Sequence, residues 1–428
     1  MLLSGRKVVS AITLTLLLAG MFTVAFNIQT VNAQGGIIFI RADGSVDPST
    51  APISTLDNVT YTLTGDIFNY SIVIERDNIV VDGAGYMILG TGMGTDGVII
   101  SGRTGVTVEN MTISDCGYGI YLDSSSGNSI VGNTITNTYE SIRMYESSNN
   151  NISGNIVDST IDLRYSSDNC IVGNTVTGNL NEGMYVYYSN NNSIVQNVIT
   201  ANFGWGIELE WSSGNDLVNN TVSGNIGWDG IFVYGSPNNR IVGNTIAANG
   251  EAGIFLGSPY SSGNSIVGNT IIGNAEGVVF SYCSNNNVYH NNFVNNSVQI
   301  DSMYGSVNVW DDGYPSGGNY WRNYNGTDVF GGAFQNETGS DNIGDTYFVI
   351  DENNTDRYPL MALWGTQLLG DINKDWVVDI FDAIILAGAY NSKPGDPNWK
   401  PNADINADNA VDIYDAILLA NHFNQRYP

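Results

Sequence analysis

Asn128-Ser-Ile-Val-Gly-Asn-Thr-Ile135 is one copy of a phrase that returns from about Val106 to Phe293. Its leading Asn stands at 128, 150, 169, 192, 215, 239, 264 and 286, a period near 22 residues. A fixed period of that length, carrying short alternating strands, marks a solenoid. Ile130 and Ile135 are apolar with Gly132-Asn133 as a bend between them, and upstream Ile120 and Leu122 alternate with Tyr121 and Asp123. Period-two alternation buries one face of a strand. About 22 residues supply three short strands and three turns, one coil of a parallel β-helix. A leucine-rich repeat would need a helical or Leu-rich return arm, and here that arm is Ser, Asn and Gly.

A second Asn column runs through 133, 155, 174, 197, 220, 244, 269 and 291. Amides stacked roughly 4.8 Å apart hydrogen-bond from coil to coil, so both columns read as architecture. The phrase and its turns resemble the NosD-like and pectate-lyase-like right-handed parallel β-helix repeats over roughly residues 78–300. The NosD resemblance brings copper to mind, and copper wants His, Cys or Met donors. His290 and His422 fall in different predicted domains and the Met residues do not cluster, which argues against it.

The chain has 428 residues, a net charge of −28, 50 Gly and two His. The acidic balance excludes a nucleic-acid footprint and suits calcium or plain solubility. Residues 1–33 read as a signal peptide: Arg6 and Lys7, the apolar run Val8 to Phe26, then Val31-Asn32-Ala33 before Gln34. A secreted or cell-surface protein is expected, held in the membrane only if that segment stays uncleaved. Residues 34–77 are expected to cap the first coil, 78–300 to form the coils, 301–365 to close them, and 366–428 to form a separate module. Cys116, Cys170 and Cys283 lie in distant coils and read as unpaired packing residues.

In that last module Asp371, Asn373, Asp375, Asp379 and Asp382 occupy loop positions 1, 3, 5, 9 and 12. Asp404, Asn406, Asp408, Asp412 and Asp415 repeat the spacing. Such a loop wraps oxygen donors around one calcium, with the position-7 carbonyl (Val377, Ala410) completing the set, so two Ca2+ are expected. A helix follows each loop, Phe381 to Ala389 and Tyr414 to His422. The pair resembles a type I dockerin across roughly residues 370–425, including Asp rather than Glu at position 12. The fold expected is therefore mainly β: a single-stranded right-handed parallel β-helix (solenoid) with a small all-α, calcium-binding dockerin domain. Loop one departs at position 6, where Trp376 stands and a positive φ is usual; loop two has Asn409 there. The resemblance implies a cohesin partner, met through loop positions 10 and 11: Ile380, Phe381, Ile413 and Tyr414. These are more apolar than the family's usual Ser/Thr pairs, pointing to a cohesin of another type or to packing against the β-helix itself.

Parity sets the outward residues of the Gly-Ile-x-Leu strand: Tyr121, Asp123, Arg143, Tyr145, Asp162, Arg164, Tyr185, Tyr187, Glu208, Glu210, Phe232, Tyr234 and Phe255. Stacked coils set these in rows, with Trp205 and Trp228 in the turns just before. Flat rings beside charged groups suit a polysaccharide, the rings for CH faces and the charges for hydroxyls. Arg143 or Arg164 would suit an acidic sugar. Asp162, Glu208 and Glu210 are the candidate catalytic carboxylates. Asp162 and Glu208 lie two coils or about 9–10 Å apart, and Glu208 and Glu210 about 7 Å apart on one strand. Those spacings meet the needs of a glycosidase. No Asp-Asp run, His or Lys/Arg pair matches known β-helix hydrolases or lyases, so binding and cleavage both stay open. The rival reading is a cell-surface adhesion spacer without carbohydrate activity.

Overall fold

The structure, a computed structural model, describes residues 35–365, 370–373, 378–406 and 408–423. The expected signal segment and the loop-one residues Asp375, Trp376 and Val377 lie outside the described residues. One coil shows how the phrase folds. Tyr118–Asp123 belongs to the first sheet, Ser129–Val131 to the second and Thr134–Thr136 to the third. Gly132, with φ 64°, makes the corner between the last two, in the left-handed region that glycine enters without penalty. Stacking such coils in parallel builds sheets of 13, 12 and 12 strands, a mainly β solenoid. The register is strict: Ile130 sits beside Val108 and Ile152, and Ile120 beside Val98 and Ile142. These inward residues are fully buried and form one continuous core.

Polar ladders hold the corners. In the first Asn column, the Asn128 amide donates to Asn150 Oδ1 at 3.2 Å, and the pattern runs on to Asn308. The second column continues to Asn319. A third ladder, not anticipated from the sequence, joins Asn179, Asn202, Asn225, Asn249, Asn274 and Asn296. A fourth is made of serines from Ser125 to Ser261, each accepting the backbone N–H of its counterpart one coil earlier. Cys283 stands at the next rung and donates its thiol to the Leu256 carbonyl. Cys116 and Cys283 are buried, as packing residues should be, but Cys170 is exposed on the second sheet's outer surface beside Asn151 and Ser193. Its parity is outward, so the packing role expected for it is corrected.

At the N-terminal end Gly36–Ile40 already stacks parallel on Tyr70–Ile74, and the antiparallel Val46–Asp47 covers the open edge of Gly36–Ile40. At the other end Trp310 and Trp321 cover the last coils, with Trp321 stacked on Phe293 at 4.4 Å. In the C-terminal module α1 spans Ile380–Ala389 and α2 spans Ile413–His422. Asp379 and Asp412 cap them, each in a reciprocal capping box with the acid three residues on. Their apolar faces share a small core with Ile372, Val378 and Val411. None of the described helices is long and apolar enough to cross a membrane.

Candidate functional site

The first sheet presents two outward rows. One reads Tyr121, Arg143, Asp162, Tyr185, Glu208, Phe232, Phe255; the other reads Asp123, Tyr145, Arg164, Tyr187, Glu210, Tyr234. Parity therefore placed each candidate on the right side of its strand. Depth is a different matter. Asp162 is only 1% exposed and Glu208 only 6%, sunk between larger neighbours.

Asp162 is held by both arginines: Arg164 Nε donates to its Oδ2 at 2.9 Å, and Arg143 Nη1 lies at 3.5 Å. Arg143 is further tied to Glu140 at 2.8 Å. Burial, then Glu140, push the Asp162 carboxyl up to about 7 against the pull of the two guanidiniums. The arginines expected to meet an acidic sugar are thus consumed by the protein's own carboxylates. Tyr185, over which the Arg164 guanidinium sits at 5.1 Å, donates its hydroxyl to Glu210 Oε2 at 3.0 Å. Burial and that bond push the Tyr185 hydroxyl upward, so it stays protonated.

Glu208 differs from Asp162 in making no ion pair among the described residues, although the Arg164 charge pulls weakly on it. Burial, with Glu182 and Glu210 nearby, pushes its carboxyl up to about 8 from 4.5. Burial thus favours the protonated form of Glu208, two residues along the strand from Glu210. A carboxyl that releases its proton near 4.5 when unfolded and near 8 when folded binds more protons folded across that window, so stability declines as pH rises through it. Glu208→Gln, a permanently uncharged isostere, is expected to gain thermal stability relative to wild type as pH rises through the window. Parallel melting curves at the two ends check this; an unchanged difference would show that folding does not raise the Glu208 carboxyl.

Aromatic rings stand on both sides of these carboxylates. In the preceding turns Trp205 packs on Trp228 at 5.4 Å and on Phe232 at 4.9 Å. Trp205 also donates its indole N–H to Asp229. Phe232 stacks on Phe255 at 5.2 Å and on Tyr234 at 6.2 Å. In the following turns Tyr165, Tyr188 and Trp211 form a further stack. Sequence reasoning missed these last three, together with Glu140, Glu182 and Asp229, because all lie in turns or at strand ends where parity has no purchase.

In the C-terminal module the two position-12 acids have equivalent surroundings. Asp382 accepts N–H bonds from Ile372, Asn373 and Asp379, and Asp415 from Ile405, Asn406 and Asp412, all at 2.7–3.1 Å. Both are fully buried. Asp379 and Asp412 each spend one oxygen on a helix cap. Asp404 accepts from the Asp408 and Asn409 N–H groups, and Asn409 takes φ 65°. Among the described residues no three His, Cys, Asp or Glu converge on one point; the loop-two carboxylates turn to the loop's own N–H groups. The donor chemistry still fits calcium: every side-chain donor is a hard oxygen, and a carboxylate oxygen accepting one N–H keeps a second lone pair. Ala410 sits at its loop position, its N–H bonded to Asp408. Ile380, Phe381, Ile413 and Tyr414 are all more than half exposed, joined one turn on by Ile384 and Ile417.

Copper finds no such set. His290 is engaged with the Ser316 carbonyl at 2.9 Å and stacked on Trp364 at 3.5 Å, and burial pushes the Cys116 and Cys283 thiols up to about 11.

Residues 369–424 match the model of the dockerin type I domain. Among solved structures the chain is similar to the mannuronan C-5 epimerase AlgE6 A-module of Azotobacter vinelandii (14% identity, 65% of this chain and 90% of that one, TM-score 0.43). It is also similar to a double mutant of the periplasmic alginate epimerase AlgG (16%, 64% and 82%, 0.45). A third is the catalytic unit of a GH87 α-1,3-glucanase from Streptomyces thermodiastaticus (14%, 67% and 62%, 0.41). No curated protein sequence matches the chain. The family described as periplasmic copper-binding protein (NosD) matches residues 71–228 and 206–326, more than half of the chain, and to that family the protein belongs.

Proposed function

We propose that this protein binds a polysaccharide along the first-sheet face of its β-helix and is carried to a larger extracellular or cell-surface assembly by its dockerin. The observation that carries the first half is the join between Tyr185, Glu208, Glu210 and Phe232. Aromatic faces for sugar CH groups and carboxylates for hydroxyls occur in adjacent rungs, with aromatic turns on both sides. The dockerin match and the exposed, duplicated apolar pairs Ile380-Phe381 and Ile413-Tyr414 support the second half, with a cohesin as the partner class. Two calcium ions held by the acidic loops would order that module. Arg6 and Lys7 followed by the apolar run Val8 to Phe26, read as a signal segment, support delivery outside the cell.

A second reading, hydrolysis, is favoured by the placement of a buried Glu208 two residues along one strand from Glu210, with burial raising the Glu208 carboxyl. Positions two apart on a strand lie roughly 7 Å apart, within the spacing of an inverting pair. In that reading Glu208 donates the proton to the leaving oxygen, Glu210 activates water, and Tyr185 orients Glu210. The test screens the protein against soluble and insoluble polysaccharides, scoring pull-down and new reducing ends. Tyr185→Ala with Phe232→Ala is expected to reduce binding at least tenfold. Glu208→Gln would keep binding and abolish product if the protein is a hydrolase. Binding without product leaves a carbohydrate-binding scaffold; absence of binding to every polymer sinks the proposal and leaves the solenoid a spacer.

A further inference from the structure

The turn that leaves the first sheet forces one residue per coil into the left-handed region. From Gly102 to Tyr304 that residue is Gly102, Ser124, Glu146, Tyr165, Tyr188, Trp211, Gly235, Ser258, Tyr282 and Tyr304, every one at φ between 45° and 80°. At the corner between its second and third sheets the solenoid meets the same demand mostly with Gly or Asn, as at Gly132, Gly154, Gly173, Asn219, Gly243 and Gly268, with Gln196 and His290 as the exceptions and no Tyr or Trp among them. Gly and Asn relieve the conformation; a bulky aromatic does not. Yet five of the ten rungs here are Tyr or Trp, and three are consecutive. Strain kept where the fold offers a cheaper residue calls for a function.

The rings form one exposed stack that runs from coil to coil. Tyr165 stacks on Tyr188 at 5.7 Å and 12°, and Tyr188 on Trp211 at 6.3 Å and 16°. Trp211 then reaches Tyr260 at 6.2 Å. All four are exposed. Gly235 makes room for this: a Cβ there would meet the Trp211 ring at 2.6 Å. The edges of Tyr187 and Tyr234 close against the strip and join it to the first-sheet face.

We propose that this turn strip is a second sugar-binding surface, and that it takes a neutral polysaccharide lying along the solenoid axis. The inference rests on the polysaccharide reading above and extends it to residues outside the sheet face. The ring-to-ring step is close to one hexose of an extended chain, so successive sugars meet successive rings. Neutrality follows from charge. The cations of the first sheet's two outward rows, Arg143 and Arg164, are both committed to Asp162, while Glu146 and Glu210 stand beside the rings. A polyuronate would meet carboxylates with no cation to answer it, on a chain of net charge −28.

The test separates ligand binding from stacking. Tyr165→Asn, Tyr188→Asn and Trp211→Asn are combined in the full-length protein, since Asn suits the left-handed turn better than the native residues. Retardation is then measured in gels containing β-glucan, xylan, galactomannan, pectate or alginate. Wild type is expected to be retarded by at least one neutral polymer and by neither polyuronate. The triple variant should lose at least tenfold in affinity while melting no lower than wild type. A triple variant that binds as wild type does, or that loses binding only together with a lowered melting temperature, overturns the strip. Equal retardation by pectate or alginate overturns neutrality. If Tyr185→Ala with Phe232→Ala abolishes binding while the triple variant keeps it, the sheet-face reading stands and the strip alone fails. No retardation of wild type anywhere overturns both.

Discussion

Replacing Asn197 by leucine is expected to destabilise the β-helix by about 3–5 kcal/mol, read from the shift of its chemical denaturation midpoint. Asn197 is a middle rung of the second Asn ladder and fully buried. Its Oδ1 accepts from the backbone N–H and the amide of Asn174, at 2.9 and 3.0 Å. Its own amide donates to the Ile171 carbonyl at 2.9 Å and to Asn220 Oδ1 at 3.0 Å. Leucine fills the volume and answers none of these. The Asn174 backbone N–H and the Ile171 carbonyl are left in a dry corner, and each orphaned buried group costs about 1–3 kcal/mol. The same substitution at Asn151, an outward residue whose amide donates to Ser153 Oγ, is expected to cost less than about 1 kcal/mol. Equal effects at the two sites would mean that the ladders follow the fold rather than hold it. Because each coil touches only its neighbours, the loss at Asn197 should also appear locally, as faster amide exchange in the flanking coils before global unfolding.

Asp415→Ala is expected to unfold the C-terminal module while leaving the β-helix intact. Asp415 accepts three backbone N–H groups, at 2.7, 3.1 and 2.8 Å, and its second oxygen closes the capping box with Asp412. A hydrogen bond to a charged group contributes about 1.5–3 kcal/mol, so removing three exceeds what a core of this module's size supplies. The loss should appear as disappearance of helical circular dichroism with the strand signal unchanged. Asp415→Asn keeps one acceptor and should be intermediate. Chelator added to wild type is expected to produce the same loss of helix, since both loops place only oxygen donors at calcium spacing. A spectrum indifferent to chelator would show that the N–H bonds alone hold the loops and would remove calcium from the account. Asp382→Ala should match Asp415→Ala, because its three bonds, at 2.7, 3.0 and 2.8 Å, are equivalent.

What the sequence by itself determined about this protein is whatever repeats at fixed spacing. Ile130 and Ile135 around Gly132-Asn133, returned every 22 or so residues, leave no arrangement but a stacked coil, and identical Asn residues in register leave no partner but each other. The acid spacing of the two loops and the helices after them were legible for the same reason: the relevant groups are within twelve residues of one another. The third Asn ladder was equally legible, since Asn179, Asn202 and their successors follow the second column by five residues. What only the tertiary structure decided is what depends on neighbours one coil away. Parity said that Asp162 and Glu208 face outward; it could not say that Arg143 and Arg164 would close over Asp162 while Glu208, among the described residues, makes no ion pair. Coil lengths vary, so partners sit 19 residues apart at Arg143 and Asp162 but 24 apart at Glu208 and Phe232. Turn conformation was hidden for a related reason. A tyrosine at 188 or a tryptophan at 211 carries no local signal for a left-handed backbone; the coils above and below impose it, through the Tyr188 N–H to the Glu210 carbonyl and the Trp211 N–H to the Tyr234 carbonyl.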